Sequence, residues 1–71
     1  MTRGQHMRAC RKAAGLSLRE LDAMTGITFV TINRLELDHH AGNIATIEIL
    51  ADALGVSIDE YVGHGVREER E

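Results

Sequence analysis

Apolar residues recur along this chain at helical spacing, in short bursts separated by glycines. Met7, Cys10 and Ala14 fall at i, i+3 and i+7, which predicts a first helix over residues 5–14, closed by Gly15. Residues 17–34, SLRELDAMTGITFVTINR, read as two more helices held apart by a tight turn at Gly26. Ser17 can cap the second helix, Glu20 can complete its capping box, and Leu16 and Leu21 form a hydrophobic staple across the cap. Gly26 ends that helix where a left-handed backbone is cheap only for glycine. Thr28 then caps a third helix, with Ile27 and Ile32 as its staple and Ile32 and Leu35 as inward anchors.

Residues 37–42 show no apolar period and read as a loop. Asn43 is the expected cap of a fourth helix over 44–54. Its broad apolar face of Ile44, Ile47, Leu50, Ala51 and Leu54 is expected to make it the central packing element. Gly55 stops it, and Ser57 with Glu60, flanked by Val56 and Tyr61, repeats the capping box and staple to open a short fifth helix. Residues 63–71, GHGVREERE, hold glycines and charges with nothing to bury, so a flexible acidic tail is expected after a single domain spanning 1–62. The pattern is all-α. A capped helix, a glycine turn and a second capped helix make a helix-turn-helix, a unit that presents its second helix to a DNA groove.

Composition narrows this reading. Hydrophobic residues make up 44% of the 71, with one Tyr, one Phe and no Trp, so the core is aliphatic. Proline is absent, which favours helix. Cys10 is the single cysteine and excludes an internal disulfide, which suits a reducing, cytoplasmic setting. No signal-peptide pattern occurs, and no apolar run approaches the roughly 20 residues that span a bilayer, so no membrane association is expected.

The net charge of −3 argues on its face against a polyanionic partner, but the distribution is uneven. Residues 1–36 carry six basic side chains (Arg3, Arg8, Arg11, Lys12, Arg19 and Arg34) against three acids. Residues 37–71 carry only Arg67 and Arg70 against eight acids. The positive end therefore coincides with the predicted helix-turn-helix.

Four segments in order carry a family resemblance: RACRKAAGLSLREL over 8–21, GIT over 26–28, INRLE over 32–36 and ILADALGVSIDE over 49–60. Together they resemble the lambda-repressor/Cro-like helix-turn-helix family across roughly residues 6–62. The resemblance implies a five-helix domain, sequence-specific operator binding and a role in transcriptional control, often as a homodimer. It places Thr28, Phe29, Val30, Asn33 and Arg34 where the third helix meets base edges or nearby phosphates. It places Ser17, Leu18 and Arg19, and His39, His40 and Asn43, where such proteins meet phosphate. It also matches Arg11 and Glu36 to an ion pair between the first and third helices. The chain departs from the family at Asp22, usually alanine, and at Thr25, usually leucine. A lone buried carboxylate is costly, so Asp22 must be partly solvated or paired.

The side chains suit that task. Arg34 can fork to guanine or bind a phosphate, and Asn33 can pair with adenine through its amide. Thr28 can donate to a phosphate at the amino end of its helix. Phe29 and Val30 can pack on thymine methyls, or contact a protein partner, or fold back on the core. Arg19, Arg8 and Lys12 are candidates for flanking phosphates or ordinary surface cations. Protonation of His39 and His40 would add positive charge beside the backbone as pH falls.

Other chemistry is thin. His6, Cys10, Asp38, His39, His40 and His64 lack the paired spacing of a zinc site, so no metal and no cofactor is expected. No nucleophile–base arrangement or phosphate loop stands out, so no enzymatic activity is expected. The expected partner is double-stranded DNA, bound by a homodimer with Ile49, Tyr61 and Val62 as interface candidates. The rival reading is a protein-interaction module on the same fold with weak DNA binding, a partner of another regulator or a toxin–antitoxin-like component, engaged through Phe29 and Val30 or the acidic half.

Overall fold

The computed structural model describes residues 1–63. They form five helices and no strand: α1 Arg3–Ala13, α2 Leu18–Thr25, α3 Phe29–Glu36, α4 Ile44–Leu54 and α5 Ile58–Val62. The expected all-α, five-helix architecture holds. No helix among these residues is long and apolar enough to cross a membrane.

Local side-chain chemistry sets the helix starts. Ser17 with Glu20 and Ser57 with Glu60 form reciprocal capping boxes, while Thr28 and Asn43 cap α3 and α4 by single bonds to Thr31 N and Thr46 N. The start of α1 lies two residues before the sequence-based expectation, because Thr2 and Gln5 form a third box. Gln5 N donates to Thr2 Oγ1 at 3.1 Å and Thr2 N donates to Gln5 Oε1 at 2.7 Å. Gly26 ends α2 with φ of 78°, in the left-handed region.

The principal helix contacts form a closed circuit in which α1 packs on α3 and α5, α2 packs on α3 and α4, and α4 packs on α5. This corrects the expectation that α4 is the hub. Ile47, Leu50 and Ala51 of α4 are buried, but Ile44 is 66% exposed. The core gathers Met7, Leu21, Ile32, Leu35, Ile47, Leu50, Ala51, Tyr61 and Val62. Each fully buried aliphatic side chain there contributes on the order of 1.5–3 kcal/mol.

Two further expectations change, and a third falls largely outside the described residues. The buried stripe of α1 is Gly4, Met7 and Arg11, not Met7, Cys10 and Ala14. The spacing is again i, i+3, i+7, but two of its members are a glycine and a charged residue, which an apolar count passes over. Tyr61 and Val62, taken as interface candidates, are 0% and 3% exposed within one chain, so neither is free to meet a second copy. They are buried because α5 folds back on α1 and α4. The expected flexible tail lies outside the described residues from position 64 onward. Gly63, its first member, is buried beside the His6 ring.

Two polar features sit within the core. Arg11 forks onto Glu36, with Nε to Oε2 at 2.8 Å and Nη2 to Oε1 at 2.9 Å, and Nη1 donates to the Leu16 carbonyl at 2.9 Å. The bond to Glu36 raises the Arg11 pKa, holding the guanidinium charged despite burial. Among the described residues the buried Tyr61 hydroxyl has no hydrogen-bond partner, and desolvation first, then the Glu36 charge, push its pKa well up. Cys10 Sγ donates to the Glu60 carbonyl at 3.6 Å, and burial followed by the Glu60 charge raises its thiol pKa.

Candidate nucleic-acid interface

One side of α3 is committed to the core and the other is open. Ile32, Leu35 and Glu36 are buried, while Val30, Asn33 and Arg34 are exposed. Val30 keeps 47% of its surface in solvent, although valine is an ordinary core residue. An amide, a guanidinium and a small apolar group thus share the outer side of an eight-residue helix.

The amino end of α3 is more closed than the sequence suggests. Thr28 Oγ1 accepts from Thr31 N at 3.2 Å and donates to Thr31 Oγ1 at 3.1 Å. Asp22 Oδ2 accepts from Phe29 N at 2.8 Å. Asp22 is half-buried and is satisfied as a cap across the turn, which accounts for a carboxylate in the tight corner between α2 and α3. The same carboxylate occupies one amide that an incoming phosphate at this helix end would use. Thr25 is also accounted for: its hydroxyl donates to the Leu21 carbonyl at 2.8 Å and accepts from Ile27 N at 3.1 Å, bracing the turn.

Phe29 is half-buried, and the Arg19 guanidinium carbon stands 4.2 Å from its ring centroid. At the start of α2, Ser17 N and Glu20 N are used by the capping box. Among the described residues, the amides of Leu18 and Arg19 have no internal acceptor. The Leu18 side chain is half-buried and packs against the core, so it offers its backbone rather than its side chain.

Beyond α3, His39 and His40 are exposed. Asn43 is exposed too, with its side-chain oxygen accepting from Thr46 N at 2.9 Å. Asp38 is exposed as well, yet it is bonded across the fold. Its backbone takes φ of 62°, its Oδ2 accepts from the Thr2 hydroxyl at 2.6 Å and its Oδ1 from Gly4 N at 2.9 Å. Those two bonds, the Thr2 hydroxyl first, hold its carboxyl below the usual carboxylate range. Asp38 thereby ties the loop after α3 to the amino end of α1. Gly4 makes the approach possible, since a Cβ there would collide with the carbonyls of Leu35 and Glu36. No local pattern marks either residue, because both act across 30 or more positions of sequence.

No group of His, Cys, Asp or Glu among the described residues is arranged to hold a metal ion. Of the three interface candidates, Ile49 alone stands in solvent, at 46% exposure.

Comparison with known proteins places this geometry. The helix-turn-helix family pattern matches residues 7–61. A Haemophilus influenzae protein described as an uncharacterized HTH-type transcriptional regulator is 34% identical over 55 residues, covering 78% of this chain and 54% of that protein. The chain therefore spans about half the length of that relative. Among solved structures, the P22 c2 repressor in complex with synthetic operator 9T is similar, with a TM-score of 0.79 and 27% identity over 87% of this chain and 94% of that one. The chain belongs to the lambda-repressor/Cro-like helix-turn-helix family.

Proposed function

We propose that this chain is a sequence-specific DNA-binding transcriptional regulator, of repressor type, that lays α3 in the major groove. The observation that carries this reading is the outward set of Val30, Asn33 and Arg34 on a helix whose other side is fixed in the core. Arg34 and Asn33 supply hydrogen-bonding groups for guanine and adenine edges, and Val30 supplies a surface for a thymine methyl. The open amides of Leu18 and Arg19 and the guanidinium of Arg19 suit phosphates on one flank, and His39 and His40 suit them on the other. With so few cations the salt dependence is shallow, corresponding to about 3–5 phosphates per protomer.

A homodimer accompanies this reading, with recognition helices about 34 Å apart on successive turns of the duplex. Ile49 is the remaining candidate for its interface. Selection of bound sequences from a random duplex pool tests both points. The expected winner is a palindrome whose enrichment is lost with Arg34→Ala, whereas a pool that stays random overturns the assignment.

Asp22 favours a second reading. Its carboxylate at the amino end of α3 repels phosphate, and Val30, next in the chain after the Phe29 amide it holds, is an exposed apolar group that suits a protein partner. Partner capture that depends on Val30 and Phe29, without duplex binding, distinguishes that case.

A further inference from the structure

The corner between α2 and α3 holds a three-residue arrangement. Arg19 and Asp22 lie one turn apart on α2, and both reach Phe29, the first residue of α3. Asp22 holds the Phe29 backbone through its amide at 2.8 Å, and Arg19 covers the ring with its guanidinium 4.2 Å from the centroid. A ring covered on one side and half-buried overall has little surface left to read a base. A guanidinium spread over an aromatic ring loses rotational freedom yet keeps its N–H edge available for an anion. Among the described residues Arg19 makes no ion pair, and it shares the first turn of α2 with two open amides.

We infer that Phe29 is a positioning residue: it aligns Arg19 as a fixed phosphate anchor at the α2–α3 corner and does not itself read a base. This rests on the DNA-binding function proposed above. Phe29 then sets affinity and register through Arg19, while sequence preference falls to Val30, Asn33 and Arg34. The two roles leave different signatures. A phosphate anchor acts on every duplex alike and contributes to the salt slope, whereas a base reader changes which sequence wins.

The test is a double-mutant cycle on the full chain, using Phe29→Leu, Arg19→Gln and the pair. Each is titrated at several salt concentrations against the selected duplex and an unrelated one. Loss of the aromatic surface is expected to weaken both duplexes by roughly two- to fivefold. Arg19→Gln is expected to weaken both and to lower the log–log salt slope by about 0.9, the release expected for one phosphate. The double variant should be no worse than Arg19→Gln alone, and Phe29→Tyr, which keeps the ring, should restore wild-type binding. Thermal unfolding of each variant separates a binding loss from a folding loss, and Arg19→Gln, an exposed helix position, keeps the salt-slope readout if Phe29→Leu unfolds. Additive effects in the cycle, or a changed base preference with an unchanged salt slope for Phe29→Leu, overturn this inference while leaving the regulator assignment standing. A wild-type chain that binds neither duplex overturns both.

Discussion

Arg11 and Glu36 meet inside the protein through two parallel hydrogen bonds of 2.8 and 2.9 Å, and a third Arg11 nitrogen is spent on the Leu16 carbonyl. One guanidinium thus joins α1, the end of α3 and the approach to α2. Removing one partner leaves the other as an uncompensated buried charge. Glu36→Ala is therefore expected to cost about 3–5 kcal/mol. Small domains have total stabilities of about 5–15 kcal/mol, so that loss brings a chain of this size close to unfolding. Replacing both residues, Arg11→Met with Glu36→Leu, should cost much less. Urea denaturation of the three proteins checks the ranking, and a double variant as unstable as Glu36→Ala would contradict it.

Gly4 reverses a common rule. Gly→Ala inside a helix ordinarily stabilises by about 1 kcal/mol. Here the added methyl meets the backbone carbonyls of Leu35 and Glu36, which have no flexible end to move aside. Gly4→Ala is expected to destabilise by about 1–3 kcal/mol, as overpacking does. A higher midpoint in thermal melting would show that α1 and α3 can separate at no cost.

Asp38 gives the stability a specific acid dependence. Its folded pKa is depressed by the Thr2 hydroxyl and then the Gly4 amide, so its contribution is fully present above the unfolded value of about 3.9. The contribution is lost as pH falls through the lower folded value. Asp38→Asn should reduce stability at neutral pH and flatten the decline below about pH 4. Parallel melting curves of the two proteins across that range would exclude this carboxylate as a contributor.

Asp22 separates capping from charge. Asp22→Asn keeps an oxygen for the Phe29 amide but removes the negative charge from the α3 amino end. It should cost about 0.3–1 kcal/mol of stability through the helix dipole. It should also tighten duplex binding a few-fold at low salt, with the gain fading as added ions shorten the Debye length to about 3 Å near 1 M. Weaker binding at every salt concentration would mean that the carboxylate orders the α3 corner more than it repels phosphate.

The parts of the fold legible in the sequence are those determined by near neighbours. The Ser17–Glu20 and Ser57–Glu60 boxes, the Thr28 and Asn43 caps and the turn at Gly26 follow from residues within four positions of each other. The Thr2–Gln5 box has the same spacing, but it precedes the first apolar repeat of α1, so apolar periodicity alone places the helix start two residues late. What long-range packing decides was not legible. Tyr61 and Val62 read as interface candidates until α1 and α4 enclose them, and Gly4 and Asp38 matter only through contacts with the far end of another helix. The outer residues of α3 could be named from the sequence. The pairing of Arg19 with Phe29 and of Asp22 with the Phe29 amide depends on the angle between two helices, which no local spacing encodes.

The closed circuit of helix contacts has a consequence for adaptability. Val30, Asn33 and Arg34 lie outside it, so new side chains there alter what the surface recognises while the scaffold keeps its melting behaviour. Recognition can diversify one position at a time, without a compensating repair elsewhere. A library randomised at those three sites should consist largely of folded members.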